Sequence, residues 1–333
     1  MLSRNAHDGL IQRAFESSAD IEGFLLAVLP EPIGRSLRPG SVKLIAPRRT
    51  GDDLRSLLPD FLCTAEIEGS EMLVGLILEH QSEPDPIMPL RMLGSAVAVW
   101  RQHSRQPAGS TDGTRLPPVL PIVIFHGARP WPGSTDTLSM VELPAELRDK
   151  YVRFQPRSEF LLVDLSTIAD EQLRGAAMSA FARLALLLLK YGRSDDLLDR
   201  LRSLGALLAQ LSQAPKGWDA IEVLLRYVMH VAAKTTTEEL GEALALSLGN
   251  EGREVAMTLA EKLIEEGEKR GLELGEKRGL ELGEKRGKEL GRREALREAA
   301  PRLLARGLTP DEIAELLGAS SNEVREAIDA AEK

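Results

Sequence analysis

The chain has 333 residues, a formal net charge of −9 and a single cysteine. Its length predicts about two domains, and its composition of 43% hydrophobic residues can form a sizeable core. One cysteine excludes an internal disulfide and a cysteine zinc site, and no apolar run reaches the roughly 18 residues of a membrane span. The acidic balance disfavours a protein that coats nucleic acid by general electrostatics. Because the N-terminus lacks an apolar leader, we expect a cytoplasmic protein that does not enter a membrane.

Helical periodicity dominates the first 30 residues. Apolar residues recur at roughly helical intervals from residue 8 to residue 29, which predicts an amphipathic helix or helix pair that ends at Pro30 and Pro32. A basic stretch follows, and either a local groove for nucleic acid or a solvated loop and helix end explains it. Its cations are Arg35, Arg38, Lys43, Arg48, Arg49 and Arg55.

Two apolar segments joined by a turn then predict a strand hairpin. Residues 61–64 form the first strand, residues 68–70 the turn, and residues 72–78 the second strand. The second strand has the continuous apolar character of a strand buried on both faces. The next predicted elements are a helix at 87–102, an exposed loop at 106–116, and strands at 120–125 and 160–163.

The second half of the chain is predicted to be mostly helical. Residues 171–250 are rich in leucine, and a charged segment with a glycine at every fourth position follows. These glycines are Gly267, Gly271, Gly275, Gly279, Gly283, Gly287 and Gly291. A glycine inside a helix costs about 1 kcal/mol relative to alanine, so close contact with a second helix would explain the repeat. A flexible, partly helical linker is the alternative.

The last segment, residues 301–333, resembles a helix-turn-helix pair. Thr309 has the residue type of an N-cap, Pro310 suits the first helical position, and Gly318 marks a helix end. The second helix is mainly acidic, whereas helices that read DNA usually carry basic and amide residues. A packing or partner-binding module is therefore favoured over DNA recognition.

Acidic residues stand at the ends of the two hairpin strands. Asp60 precedes the first strand and Glu79 follows the second, and strand alternation directs Glu79 and Gln81 to one side and His80 to the other. If the strands pair antiparallel, the carboxylates of Asp60 and Glu79 converge. Two carboxylate ligands suit Mg²⁺, which lowers the pKa of a bound water and neutralises charge at a phosphate. Gln81 is then placed to orient that water or to hydrogen-bond the phosphate.

Four segments together carry a family resemblance. They are Leu58-Pro59-Asp60-Phe61-Leu62, Leu76-Ile77-Leu78-Glu79-His80-Gln81-Ser82, His7-Asp8 with Phe15, and Pro121-Ile122-Val123-Ile124-Phe125-His126-Gly127. They resemble the Rpn family of recombination-promoting nucleases, also described as YhgA-like transposases, over roughly residues 5–250. The resemblance implies a Mg²⁺-dependent DNA endonuclease of the PD-(D/E)XK superfamily, with Asp60 and Glu79 as metal ligands. Gln81 takes the place usually held by lysine, and because glutamine carries no charge we expect slow or tightly regulated cleavage.

The resemblance and the order of elements imply an α/β fold in four parts. Residues 1–170 form a restriction-endonuclease-like core, in which helices flank a mixed central sheet. Residues 171–250 form a helical subdomain that packs on the core. Residues 251–300 form a long glycine-repeat helical tail, and residues 301–333 form the C-terminal module.

Four residues are candidates for accessory roles in the site. His7 resembles part of the family's N-terminal pair, and Glu16 could add a third acid. His80 is either catalytic or a buried strand histidine, and Arg91 could contact phosphate. His126 ends a strand, where a site residue or a turn residue fits equally well.

Two functions from different classes remain open at this point. The first is a nuclease whose partners are DNA and Mg²⁺, linked to recombination or mobile elements. The second is a catalytically inactive nuclease-fold protein that assembles through its glycine-repeat tail. A combination, in which the tail makes the nuclease a homo-oligomer, is the third possibility.

Overall fold

The structure is a computed structural model that describes residues 2–45, 60–67, 70–81, 83–104, 116–127, 129–232 and 235–331. Within these ranges, the side chains of residues 2–5, 70–81 and 102–104 are outside the description. The chain forms two compact units, Met1–Ala260 and Glu261–Lys333.

A five-stranded mixed sheet forms the centre of the first unit. Its strands are β1 (Lys43–Ile45), β2 (Phe61–Ile67), β3 (Ser70–Gln81), β4 (Val119–Phe125) and β5 (Leu161–Asp164), and they lie in this order across the sheet. The β1–β2 and β2–β3 pairs are antiparallel, whereas β3–β4 and β4–β5 are parallel. The predicted turn at residues 68–70 falls largely outside the described residues. Strand β1 was not predicted, because three residues in a basic stretch show no apolar periodicity.

Helices account for most of the remaining described residues. They are α1 (Leu2–Ala14), α2 (Ser18–Val28), α3 (Glu31–Ser36), α4 (Met88–Ser104), α5 (Ala145–Tyr151), α6 (Asp170–Gly175), α7 (Ala180–Tyr191), α8 (Leu197–Ser203), α9 (Gly205–Ser212), α10 (Gly217–Val231), α11 (Thr237–Leu304), α12 (Pro310–Leu317) and α13 (Ser321–Asp329). The mixture of sheet and helices confirms the α/β prediction. The finer assignment to a restriction-endonuclease-like core stays a prediction. The predicted loop at 106–116 lies almost entirely outside the described residues.

Both faces of the sheet are covered by apolar side chains. On one face, Met88 and Met92 of α4 pack with Leu62 and Val123 in a buried cluster. The neighbouring residue Phe61 points to the other face, where its ring lies 5.6 Å from that of Phe15, in an edge-on arrangement. Strand β2 is therefore packed on both faces of the sheet.

The helices at the start of the chain are joined to α7 by polar contacts and close backbone packing. The Ser179 backbone N–H and hydroxyl donate hydrogen bonds to the Asp20 carboxylate, at 2.5 and 3.1 Å. A Cβ on Gly23 would lie 2.2 Å from the Ala177 carbonyl oxygen, so only glycine permits this approach. Helix α1 also contacts α7 and α10, so the leucine-rich helices and the N-terminal helices share one core.

The second unit has its own small core at the end of the chain. Ile313, Val324 and Leu296 are buried together there. Thr309 caps α12 in a reciprocal capping box with Glu312, and Gly318 ends the helix at a φ of 61°, as predicted.

The seven repeat glycines from Gly267 to Gly291 lie in α11. A Cβ built on any of them would meet no atom within 4 Å. No contact within the described chain therefore requires glycine at these positions. Among the described residues, no helix is both long and apolar enough to cross a bilayer.

The Phe15 ring is a suitable test of the packing between α1 and the sheet, because it is 0% exposed. We expect Phe15→Ala to lower the free energy of unfolding by about 3–5 kcal/mol, since a large cavity remains. Leu26→Ala, at a residue that is 43% exposed, is the control and should cost less than about 1 kcal/mol. Urea denaturation followed by circular dichroism measures both, and equal losses would contradict the packing described.

Candidate active site

The register of the β2–β3 hairpin determines how Asp60 and Glu79 are related. Phe61 pairs with Leu78 and Leu62 with Ile77, so one further step along the same register sets Asp60 opposite Glu79. Directly opposed residues of an antiparallel pair have Cβ atoms roughly 4.5–5.5 Å apart on one face of the sheet. Asp60 is exposed. The backbone thus brings the two predicted acids to neighbouring positions at one end of the hairpin.

The parallel strands bring further polar residues to the same edge of the sheet. Gln81, the last residue of β3, is in register with Phe125, and Phe125 is in register with Asp164. His126 follows directly after β4. The carboxyl ends of β3, β4 and β5 therefore meet at one edge, where Gln81 lies two residues beyond Glu79.

Asp164 was predicted only as a strand end, and the structure gives its carboxylate a structural role. One carboxylate oxygen accepts hydrogen bonds from the Ser166 backbone N–H at 3.0 Å and from the Ser166 hydroxyl at 2.7 Å. Asp164 thereby caps the 3₁₀ turn at Leu165–Thr167. A strand followed by Asp-x-Ser is the sequence signal for such a cap.

His7 lies in a buried cluster with two partners from distant parts of the chain. Its Nδ1 is 3.1 Å from the Tyr227 hydroxyl, and its ring centroid is 4.9 Å from that of His126. Burial raises the pKa of Tyr227, which keeps the phenol protonated. His126, directly after β4, packs against His7 in this cluster. The contact was not predicted because the two residues are far apart in sequence.

The other accessory candidates occupy different surroundings. Arg91, in the first turn of α4, forms an ion pair with Asp85 at 2.9 Å. Glu16 is exposed and lies 3.8 Å from Arg13. His80 is in register with Ile124, and its side chain lies outside the description. The accessory roles of these residues stay predictions.

The predicted basic stretch is only partly described. Arg35 forms an ion pair with Glu31, and Arg38 forms one with Glu66. Arg48, Arg49 and Arg55 lie outside the described residues. A groove for nucleic acid along this stretch therefore stays a prediction.

The donor atoms at positions 60 and 79 suit a hard divalent cation. Both residues carry carboxylates, and Mg²⁺ is bound in proteins by one or two carboxylates together with water and phosphate oxygens. Among the residues whose side chains the structure describes, no three His, Cys, Asp or Glu form a metal-binding group, and Glu79 is outside that set. The residue types fit the ion that the family resemblance implies.

Comparison with known proteins identifies the family of the chain. A family model described as "Putative transposase, YhgA-like" matches residues 5–218. The chain belongs to this family. No solved structure matches it.

Several curated relatives carry names that refer to nucleases. "Recombination-promoting nuclease RpnA" of Escherichia coli (strain K12) is 27% identical over 270 residues, which cover 80% of this chain and 86% of RpnA. "Recombination-promoting nuclease RpnD" of Escherichia coli O157:H7 is 27% identical over 265 residues, covering 77% and 93% of the two chains. "Inactive recombination-promoting nuclease-like protein RpnE" of strain K12 is 26% identical over 275 residues, covering 80% and 83%. The resemblance to the Rpn proteins is thereby confirmed.

Cys63 lies in the strand predicted at residues 61–64, and the structure buries it in β2. Burial raises the pKa of its thiol from 9.0 to about 12. With this pKa, only about one thiol in ten thousand is ionised at pH 8, and the thiolate is the form that reacts. We expect iodoacetamide at pH 8 to leave Cys63 unmodified in the folded protein and to alkylate it in urea, as measured by intact mass. Rapid alkylation of the folded protein would contradict this.

Proposed function

We propose that the protein is a Mg²⁺-dependent DNA endonuclease linked to recombination, with Asp60 and Glu79 as the metal ligands. The observation that supports this most directly is the β2–β3 register, whose next step sets Asp60 opposite Glu79. The relatives named recombination-promoting nucleases support the same class of enzyme. DNA is then the substrate, and phosphodiester hydrolysis is the reaction.

Each polar residue at this end of the hairpin has a chemical task in the proposal. Asp60 and Glu79 supply carboxylate oxygens to the cation. When bound, Mg²⁺ lowers the pKa of a bound water and neutralises charge that develops on the phosphate. The Gln81 amide donates a hydrogen bond to the scissile phosphate or accepts one from the attacking water. Because the amide carries no charge, it stabilises the transition state less than lysine does, by an amount on the order of a few kcal/mol.

The apolar surroundings support the geometry of the proposed site. Leu62 and Val123 are buried against α4, and both lie in strands that pair with β3. A rigid strand pair holds two ligands at a fixed spacing, as a metal site requires.

We expect Asp60→Ala and Glu79→Ala each to reduce plasmid nicking in Mg²⁺ by at least about 100-fold, because each removes a metal ligand. Glu66→Gln is the matched control, since Glu66 lies on the same hairpin but at the opposite end, in register with Leu73. Wild-type protein in EDTA should not nick. Gel quantification of nicked plasmid measures the rates, and circular dichroism checks that each variant is folded. Nicking that survives both alanine substitutions would remove the site assignment.

A second function, assembly through the tail, is supported by two observations. One relative is named an inactive nuclease-like protein. In addition, the exposed face of α11 carries several leucines beside the repeat glycines, including Leu272 and Leu280, which are 66% and 76% exposed. Close packing of a second copy of α11 would cover these leucines and offset the helix cost of the glycines.

This assembly predicts that the glycines matter for association. Replacing all seven repeat glycines by alanine should raise the helix content and weaken self-association, because each added Cβ keeps the helices apart. Light scattering coupled to size exclusion measures the mass of the wild type, of this variant, and of a chain that ends at Ala260. A measured mass equal to that of the monomer for each of the three proteins would rule out assembly through the tail.

A further inference from the structure

The exposed aromatic side chains of this protein lie in a single place. The chain contains seven Phe, three Trp and three Tyr, and all thirteen are among the described residues. Only Tyr151 and Phe154 are exposed, at 49% and 66%. They are three residues apart, at the end of α5 and in the 3₁₀ turn that follows it. Two exposed rings in so few residues require an explanation, because the other eleven rings are buried or half-buried.

The residues around the two rings are basic. Residues 146–159 contain Arg148, Lys150, Arg153 and Arg157 against the acids Glu146, Asp149 and Glu159, a small basic excess in a chain whose net charge is −9. All four cations are exposed. Within the described part of the chain, none of the four forms an ion pair. We call Tyr151, Phe154 and these four cations the aromatic-basic patch.

The geometry of the patch leaves its groups available to a ligand. The Arg153 guanidinium carbon lies 4.6 Å from the centroid of the Phe154 ring, a stacking distance. Since Phe154 is nevertheless 66% exposed, much of its surface stays open to solvent. The Gln155 side-chain amide donates a hydrogen bond to the Tyr151 carbonyl at 3.2 Å, which ties the turn between the two rings.

The patch lies in the long connection between β4 and β5. Hydrogen bonds close the base of this connection. The Thr137 backbone N–H donates to the Ser158 carbonyl at 3.0 Å, and the Ser158 N–H donates to the Thr137 hydroxyl at 2.9 Å. Because these hydrogen bonds already restrain the connection, it loses less conformational entropy when a ligand binds.

Trp131, near the start of the β4–β5 connection, packs against the sheet. The Trp131 ring lies 6.0 Å from the Phe160 ring and 5.2 Å from the Phe125 ring, both in edge-on arrangements. Phe125 is the register partner of Gln81. Trp131, which precedes the patch in the β4–β5 connection, is thus held against β4, the strand next to the one that carries Glu79 and Gln81.

We propose that the aromatic-basic patch binds unpaired bases and the adjoining phosphates of single-stranded DNA. This inference rests on the proposed function for the choice of DNA. The faces of bases are accessible to aromatic rings only where the strand is unpaired, and base stacking on aromatic side chains is tolerant of sequence. The four cations complement the phosphates, whereas a duplex offers the phosphates alone.

Binding in EDTA separates this inference from catalysis. Fluorescence anisotropy measures the affinity of the full chain for a fluorescein-labelled 20-nucleotide oligothymidine and for a 20-base-pair duplex. We expect the single strand to bind at least about tenfold more tightly than the duplex, from stacking of one or two bases.

The Phe154 variants test stacking against general apolar contact. Phe154→Leu keeps an apolar side chain but removes the ring, and it should weaken single-strand binding about tenfold. Phe154→Trp should bind at least as tightly as the wild type. Met140→Ala is the control, because Met140 lies in the same β4–β5 connection and is 41% exposed. This variant should bind single-stranded DNA as tightly as the wild type.

The charge variants test the phosphate contacts. Arg153→Gln and Arg157→Gln should each weaken binding and reduce the slope of log affinity against log salt by about 0.7, the value expected per phosphate contact on a single strand. Arg306→Gln, which makes the same charge change in the second unit, should leave the slope unchanged.

Three results would overturn the inference. The first is equal binding of single strand and duplex, or no binding of either. The second is single-strand binding that is unchanged in Phe154→Leu. The third is a Phe154→Leu variant that no longer sediments with phosphatidylserine vesicles but binds single-stranded DNA like the wild type. This result would assign the patch to a membrane surface. Nicking by the wild type together with any of these results would leave the proposed function standing. Single-strand binding without any nicking would support the inference about the patch and contradict the proposed nuclease activity.

Discussion

The pairing register of β2 with β3 is the constraint on which the proposed chemistry depends. A slip of one residue would move every side chain of a strand to the opposite face and would separate Asp60 from Glu79. The register is held by packing on both faces, because Leu62 lies in the α4 cluster and the adjacent Phe61 lies against Phe15. A one-residue slip would expose one apolar set and bury another in the wrong cluster. The core therefore fixes the backbone positions of the two acids.

A sheet covered on both faces also restricts where chemistry can occur. The parallel pairing of β3, β4 and β5 collects three strand ends, with the polar residues that lie there, at one edge. Not every polar residue there is available, because Asp164 caps a turn and His7 and His126 pack together near Tyr227. Asp60, Glu79 and Gln81 are the group at this edge whose residue types suit a divalent cation and a phosphate.

Charge in this protein is distributed unevenly, and the distribution separates two kinds of surface. The chain is acidic overall, and most ion pairs on α11 join residues four positions apart, such as Glu284 with Lys288. Such exposed pairs contribute little to stability. Within the residues that the structure describes, the cations around Tyr151 and Phe154 form no such pairs, which leaves them available to a ligand. The glycines of α11 are a different case, since their cost of about 1 kcal/mol each is offset by no contact within the described chain.

Elements whose signals are local could be predicted from the amino-acid sequence alone. The hairpin strands, helix α4, the cap at Thr309 and the helix end at Gly318 all follow from apolar periodicity and from residue types that favour particular backbone conformations. The motif residues Asp60, Glu79 and Gln81 were likewise identified from the sequence, because they stand at strand ends within a recognisable family pattern. The order of the strands across the sheet, and the parallel pairing of β3 with β4, could be seen in the folded chain alone. The tertiary structure alone brought His7 to His126 and Tyr227, and it alone left Tyr151 and Phe154 uncovered while the other rings were at least partly buried. The physical reason is that burial and contact between distant segments depend on packing of the whole unit, which no local pattern encodes.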